Sequence, residues 1–179
     1  SPTGRLHLGN LRTGWIAREL ARRLGLPLVV RIEDIDRPRV VPGARELQLR
    51  DLAEVDVRAD RVDVQSMFDV RHRAVLYAAV AAGKVYACTC SRRQVKAALA
   101  AWEGLASAPH HPVPVYDGRC RTGTTVGATT PVGWRWRADD PSGADDVLVA
   151  RTEGLRDRFQ PAYHWACAID DWDGRFTWL

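Results

Sequence analysis

The segment Ser1–Asn10 places a histidine and an asparagine where a helix is predicted to begin. The unpaired N–H groups and the positive dipole end of a helix N-terminus attract phosphate, and Gly9 would let a ligand approach the backbone closely. His7 and Asn10 lie three residues apart, so both could donate hydrogen bonds to charge that develops on a phosphate group. A histidine with a purely structural role beside a turn fits the same spacing, so spacing alone leaves both interpretations open.

Three thiols and one phenol form a second candidate group with the donor types of a zinc site. Cys88 and Cys90 make a Cys-x-Cys pair, and Tyr116 and Cys120 make a Tyr-x-x-x-Cys pair. Four such donors would close a tetrahedral structural site and join both ends of the stretch 104–131, which is predicted to be a long loop. Small buried cysteines without a metal are the alternative. Other possible ligands lie within the loop: His110 and His111.

A run of three carboxylates forms a third candidate group. Glu33, Asp34 and Asp36 follow the apolar segment 28–32, which is predicted to be a buried strand. A solvated turn and a divalent-cation site both fit this run when it is considered alone.

The periodicity of the apolar residues predicts the elements that must position these groups. Helices are predicted over residues 9–24, 44–54, 69–83 and 92–103, and strands over residues 28–32, 134–137, 147–150, 163–169 and 175–179. Trp134 and Trp136 alternate with Arg135 and Arg137, which predicts a strand with one solvated face. Because strands and helices alternate, an α/β fold with a parallel sheet is favoured.

Composition excludes several classes of protein. The 179 residues are 46% hydrophobic and 27% charged, which is typical of a folded globular domain with at most a small insertion. No apolar run approaches the ~20 residues of a membrane span, so no membrane partner is expected. Nothing at the start is typical of a signal peptide, so the four cysteines are expected to be reduced, in the cytoplasm.

Charge is distributed unevenly along the chain. Residues 1–50 hold ten Arg against five Asp and Glu, which is a net charge of 10 − 5 = +5, whereas the whole chain carries +4. This excess suits phosphate groups or a nucleic acid, although a solvated Arg-rich surface gives the same count.

Two of the motifs resemble signatures of the class I aminoacyl-tRNA synthetases, in their glutamyl form. Ser-Pro-Thr-Gly-x-Leu-His-Leu-Gly-Asn at residues 1–10 is similar to the family's HIGH motif, and Arg31–Arg37 is similar to its RIED-x-D segment. The resemblance implies a Rossmann-like parallel-sheet catalytic domain with a zinc-binding insertion. It divides the chain into residues 1–87, the insertion 88–131, and residues 132–179. We expect residues before Ser1 and after Leu179, and a monomer.

The resemblance also implies an activity and a set of site residues. The activity is ATP-dependent activation of L-glutamate to glutamyl-adenylate, with Mg²⁺ on ATP, followed by transfer to a tRNA. The catalytic residues would be His7, Gly9 and Asn10, and Thr3 and Gly4 would join them in binding ATP. Glutamate would be bound by Ser1, Glu33 and Tyr163, the last in a Tyr-x-x-Ala-x-x-x-Asp-Asp strand and turn, and Asp36 would lie near the tRNA acceptor end.

The zinc motif resembles that of the short paralogues of this family, the glutamyl-Q tRNA(Asp) synthetases. These enzymes glutamylate the queuosine base of a tRNA anticodon, and the resemblance implies ligation by Cys88, Cys90, Tyr116 and Cys120. Arg121 and Thr122 follow Cys120, whereas full-length glutamyl-tRNA synthetases can close the site with Cys-x-His. Transfer to queuosine of tRNA(Asp) is therefore predicted. The alternatives are charging of tRNA(Glu) at its 3′ end, a non-catalytic RNA-binding paralogue, and a ligase that glutamylates a small molecule.

Overall fold

The structure is a computed structural model that describes residues 1–103, 116–127, 130–139, 141, 146–153 and 157–176. The chain divides into two compact units, Ser1–Phe68 and Asp69–Leu179. No helix within the described ranges is long and apolar enough to cross a membrane.

The first unit pairs two parallel strands and carries two helices. Helix α1 (Leu8–Leu24) is followed by β1 (Val29–Ile32), helix α2 (Ala44–Glu54) and β2 (Arg61–Val64), with short 3-10 turns at Arg37–Arg39 and Gln65–Phe68. Gly25 ends α1 in the left-handed conformation at φ 65°, which a glycine adopts without steric cost. Strand β1 pairs with β2 from Val29↔Arg61 to Ile32↔Val64. The predicted α/β class with parallel pairing is confirmed here.

The second unit is a four-stranded antiparallel sheet with three helices. Its elements are α3 (Asp69–Ala81), β3 (Val85–Cys88), α4 (Arg92–Glu103), β4 (Pro131–Trp136), β5 (Leu148–Glu153), β6 (Asp157–Pro161) and α5 (Tyr163–Gly174). The strands follow the order β3-β4-β5-β6. The core of this unit consists of Leu76, Val85, Val132, Trp134, Val149, Ala150, Trp165 and Ile169.

All four predicted helices are present, but the predicted strand at 163–169 is wrong. That segment lies in α5, and its buried residues Trp165, Ala166, Ile169 and Asp170 recur at the spacing of one helix face. The predicted strand at 175–179 is also wrong where it can be judged, because Arg175 caps α5 in the left-handed conformation at φ 51°. Residues 177–179 lie outside the described ranges.

Strand β4 has no solvated face of the predicted kind. Arg135 is only 7% exposed, and the register of β4 against β5 shifts between Trp134 and Arg135. Sequence reasoning also missed β2, β3 and β6, each of which is only four or five residues long. The predicted loop 104–131 has no helix or strand over 116–127, and residues 104–115 lie outside the described part of the chain.

Candidate functional site

His7 is the N-cap of α1, and its ring folds back over the first turn. Its Nδ1 accepts hydrogen bonds from the backbone N–H groups of Gly9 at 3.0 Å and Asn10 at 3.4 Å. Since Nδ1 acts as an acceptor, the proton of the neutral imidazole resides on Nε2, which is then a donor. The side chain is exposed, so this donor can reach a ligand.

Asn10 completes the cap from the other side. Its Oδ1 accepts the N–H of His7 at 3.3 Å, which leaves the amide NH₂ as a second donor beside the imidazole. The first turn of α1 contains no acidic residue, so no carboxylate opposes the positive end of the helix dipole. This end of α1 therefore has the features of an anion-binding site.

Gly9 is required by the position of the His7 ring. A Cβ on Gly9 would lie 2.9 Å from Cε1 and 3.0 Å from Nδ1 of His7, so any other residue here would displace the ring. The glycine anticipated as an aid to ligand approach thus has a further role, which is to make room for the cap.

The segment before His7 is held by α2 and the loop that precedes it. Asp51, only 5% exposed, accepts the backbone N–H of Leu6 at 3.0 Å. The amide of Gln48 donates to the carbonyl of Gly4 at 2.8 Å, and the N–H of Val41 donates to the carbonyl of Pro2 at 3.0 Å. Sequence reasoning missed Gln48 and Asp51, although a carboxylate next to Leu52 on the buried face of α2 was a usable signal.

The carboxylates after β1 have different surroundings. Asp34 accepts both the N–H and the hydroxyl of Ser66, at 2.8 and 2.7 Å, and so joins this turn to the end of β2. Glu33 and Asp36 are half-buried, and each contacts an arginine, Glu33 with Arg31 at 3.4 Å and Asp36 with an arginine three residues later at 3.5 Å. Asp34 is therefore structural, whereas Glu33 and Asp36 remain candidates for ligand contact.

The predicted glutamate residues fall in different units. Ser1 and Glu33 belong to the first unit, as do the predicted ATP-binding residues Thr3 and Gly4. Tyr163 is the first residue of α5 in the second unit, and it is 60% exposed. Further along α5, Asp170 is buried and contacts His72 Nε2 at 2.7 Å.

The three thiols and the phenol lie together in the second unit. The Sγ atoms of Cys88, Cys90 and Cys120 all lie within 4.8 Å of one another, and Cys90 and Cys120 are 3.6 Å apart. The hydroxyl of Tyr116 lies 3.4 Å from Cys88 Sγ and 3.7 Å from Cys90 Sγ. Tetrahedral zinc with Zn–S bonds of ~2.3 Å separates its sulfur ligands by ~3.8 Å. The spacing of these donors therefore fits one zinc ion.

The surroundings of these donors alter their proton affinities. Burial raises the pKa of Cys88, but hydrogen bonds from Tyr116 and Arg135 outweigh it, so the pKa lies below its usual value. Burial raises the pKa of Cys90 to about 12. Burial and then the hydrogen bonds with the three thiols raise the pKa of Tyr116. Groups this close cannot all ionise unless a cation neutralises them, which is the role a metal ion fills.

Buried polar groups fix the loop that carries Cys120. Asp146, which is fully buried, accepts from the Tyr86 hydroxyl at 2.6 Å, from Arg121 at 2.9 Å and from the N–H of Ala138 at 2.8 Å. The guanidinium of Arg135 lies 3.7 Å from the centroid of the Tyr116 ring.

Comparison with known proteins identifies relatives of the whole described fold. Residues 1–125 match the family described as tRNA synthetases class I (E and Q), catalytic domain. The chain is 36% identical to the glutamyl-Q tRNA(Asp) synthetase of Nocardia farcinica over 96% of its own length and 57% of the relative's. The corresponding protein of Burkholderia mallei is 38% identical, over 99% and 63%. Glutamate–tRNA ligase 1 of Acidithiobacillus ferrooxidans is 34% identical, over 99% and 40%.

The fold has solved counterparts. The crystal structure of glutamate-tRNA synthetase from Elizabethkingia anophelis superposes with a TM-score of 0.72 at 22% identity, over 98% of this chain and 41% of that one. The predicted fold of the class I synthetases is therefore confirmed. The chain spans about three-fifths of the length of the glutamyl-Q tRNA(Asp) synthetases that it matches.

Proposed function

Because the chain belongs to the class I tRNA synthetases for glutamate and glutamine, we propose that it is the catalytic portion of an enzyme that activates L-glutamate with ATP. The observation that carries the proposal is the cap of α1, where the donors of His7 and Asn10 lie side by side at the positive end of a helix. The products of the first step would be glutamyl-adenylate and pyrophosphate, and a tRNA would then accept the glutamyl group.

The first step needs positioning and charge stabilisation but no covalent enzyme intermediate. The α-carboxylate of glutamate attacks the α-phosphorus of ATP in line, a new P–O bond forms, and the bond from that phosphorus to the bridging oxygen breaks as pyrophosphate leaves. His7 Nε2–H and the amide of Asn10 would donate to the charge that develops on the phosphate oxygens. Thr3, Gly4 and Gly9 would surround the nucleotide, with Mg²⁺ bound to its phosphates.

Glutamate would be held by a carboxylate and two hydroxyl groups. Glu33 would accept from the ammonium group of glutamate, and Ser1 and Tyr163 would offer hydrogen bonds from their hydroxyls. Asp36, three residues beyond Glu33, would lie near the acceptor end of the tRNA. Glu33 and Asp36 each lie beside an arginine, at 3.4 and 3.5 Å.

A structural zinc ion would be held by Cys88, Cys90, Tyr116 and Cys120. Support comes from the donor set and from separations that match the edges of a zinc tetrahedron. Such an ion would cross-link its four ligands and so stabilise a segment that has no large hydrophobic core. That segment, residues 88–131, would form an insertion between residues 1–87 and 132–179.

Queuosine of tRNA(Asp) is the acceptor we propose. Relatives named glutamyl-Q tRNA(Asp) synthetase are 36–38% identical to the chain, and Arg121 and Thr122 stand where a Cys-x-His ligand would be needed. Charging of tRNA(Glu) at its 3′ end is the second candidate, favoured by the 34% identity to a glutamate–tRNA ligase. We also propose that the enzyme acts in the cytoplasm, where ATP and tRNA are found, and as a monomer.

Glutamate acceptance separates the two candidates. The full-length protein is incubated with ATP, labelled glutamate and tRNA(Asp) prepared with or without queuosine, and in parallel with tRNA(Glu). Label on queuosine-containing tRNA(Asp) alone supports the proposal. Label on tRNA(Glu) alone supports the second candidate, and no label on any of them with tRNA binding retained would indicate a non-catalytic paralogue.

A further inference from the structure

A cavity of about 280 Å³ opens beside the candidate zinc site, and its walls are strongly basic. It lies entirely within the second unit, so none of its residues belongs to the proposed nucleotide site at α1. The cationic residues that line it are Arg92, Lys96, Arg135 and Arg151. Cys88 and Cys90, two of the candidate zinc ligands, also line it, but the proposed function assigns no role to its four cations.

The register of the sheet explains why the cavity exists. Gly133 on β4 pairs with Cys88 on one side and with Arg151 on the other, so the three form one row across β3, β4 and β5. Residues in such a row point to the same face of the sheet. Gly133 adds no side chain to this face, and the Leu148 side chain and the cavity occupy the space above it. A Cβ there would meet Leu148 Cδ1 at 2.8 Å.

Helix α4 supplies the opposite wall. Arg92, Val95 and Lys96 line the cavity, and their spacing of three and four residues places them on one face of the helix. Strand and helix thus direct cationic side chains at one space from two sides. Apolar atoms, to which Val95 and Leu148 contribute, make up the larger part of the lining surface, so the cations border an otherwise apolar space.

Three of the four cations have no acidic partner among the described residues. In the part of the chain that the structure describes, no carboxylate forms an ion pair with Arg92, Lys96 or Arg151, although 13 other pairs involving arginine are present. Arg135 differs, since it donates to the carbonyl of Asp146 at 2.8 Å and lies over the Tyr116 ring. Burial lowers the pKa of Arg151, and the charges of Arg92 and Arg135 lower it further, whereas the charge of Cys88 acts in the opposite direction.

We propose that this cavity is an oxyanion site that holds a backbone phosphate of the tRNA, with Arg151, Arg92 and Lys96 as its ligands. Like charges gathered without carboxylates repel one another, and a bound phosphate would remove that cost while accepting charge-assisted hydrogen bonds. The inference rests on the proposed function for the identity of the nucleic acid. The phosphate chemistry itself follows from the cavity.

The test compares two arginine variants that remove the same charge. Arg151→Gln removes a residue of the cavity, whereas Arg93→Gln removes an exposed arginine of α4 that does not line it. The zinc-loaded full-length proteins are titrated with an unmodified tRNA(Asp) transcript at several salt concentrations. We expect Arg151→Gln to weaken binding about tenfold or more, as loss of one charge-assisted hydrogen bond does. We also expect it to reduce the slope of log K against log salt by about 1, relative to Arg93→Gln.

Three results would overturn the inference. Equal affinity and equal salt slope for Arg151→Gln and Arg93→Gln would show that no phosphate contacts Arg151. Loss of bound zinc in Arg151→Gln, measured by metal analysis, would assign the arginine to the metal centre. Broadening of the ³¹P line of inorganic phosphate that depends on Arg151, without any effect of Arg151 on tRNA binding, would assign the cavity to free phosphate.

A separate assay tests the proposed function independently of this inference. Glutamate-dependent exchange of pyrophosphate into ATP, measured without tRNA, reports on activation alone, and we expect Arg151→Gln to leave it unchanged. Absence of exchange in the wild-type protein would remove the proposed activity, yet the salt slopes would still decide whether the cavity binds phosphate.

Discussion

The carboxylate of Asp51 accepts the backbone N–H of Leu6 at 3.0 Å, across 45 residues of sequence. Leu6 immediately precedes His7, so a buried side chain of α2 fixes the residue before the proposed catalytic histidine. The contact explains how an exposed segment can hold its geometry, because a buried charged acceptor that lost its donor would pay a desolvation cost.

Removal of this acceptor should affect both stability and nucleotide binding. Asp51→Ala leaves the N–H of Leu6 without a partner, and we expect the free energy of unfolding to fall by about 1–3 kcal/mol. We also expect the KM for ATP to rise more than kcat falls. Asp51→Asn keeps an acceptor oxygen and should restore most of the KM. Glu54→Ala removes an exposed carboxylate of the same helix, and serves as the control that should change neither quantity appreciably.

Gly9→Ala should separate activity from stability. The new Cβ would displace the His7 ring, which lies 2.9 Å from its position, so we expect glutamate-dependent pyrophosphate exchange to fall by about 10²-fold. Alanine favours a helix by up to ~1 kcal/mol over glycine. Displacement of the ring also weakens the cap of α1, which costs a similar amount, so the thermal midpoint should change little. An unchanged exchange rate would show that the ring position does not matter.

The thiol cluster should bind one metal ion per chain. Metal analysis of the purified protein should find zinc at a ratio of one, and Cys120→Ala should lower both the zinc content and the thermal midpoint. Cys167→Ala removes the remaining cysteine, which lies on α5, and should leave the zinc content unchanged. Equal zinc contents in the two variants would contradict the proposed ligand set.

The pair His72–Asp170 should stabilise the second unit. His72 is fully buried, its Nε2 lies 2.7 Å from Asp170, and no described residue forms a hydrogen bond with its Nδ1. Asp170→Ala would leave the imidazole without a partner, and we expect a loss of about 2–3 kcal/mol in chemical unfolding. Asp173→Ala removes an exposed carboxylate that pairs with Arg71 on the same two helices, and should have a much smaller effect. Equal losses would contradict a special role for the buried pair.

The sequence predicted those parts of the fold that depend on interactions between residues close together in the chain. Helix α1 has a polar cap at its start and a glycine at its end, so its bounds were predicted to within one residue. The segment 163–169 was misassigned because its aromatic and apolar residues suit a strand, and only packing against the core showed that they form one helix face. Arg135 was placed on a solvated face because alternation cannot reveal a shift of register or a buried partner such as Asp146.

The candidate site likewise has residues that could be predicted from the sequence and residues that could not. The donors of the thiol cluster were predicted from two observations: thiolates and a phenolate are plausible zinc ligands, and the motif resembles that of the glutamyl-Q tRNA(Asp) synthetases. The role of Gln48 and Asp51 could not be predicted, because a contact across 45 residues depends on how α2 packs. The row of Cys88, Gly133 and Arg151 likewise required the register of three strands.

The central claim is that the capped end of α1 takes part in the activation of glutamate by ATP. The most direct test is to measure the exchange of pyrophosphate into ATP in a His7→Asn variant. Asparagine is as good an N-cap as any residue, so the helix and the thermal midpoint should be retained while the Nε2–H donor is lost. We predict glutamate-dependent exchange in the wild-type protein and a fall of about 10²–10³-fold in the variant. Equal exchange rates in two equally stable proteins would contradict the account.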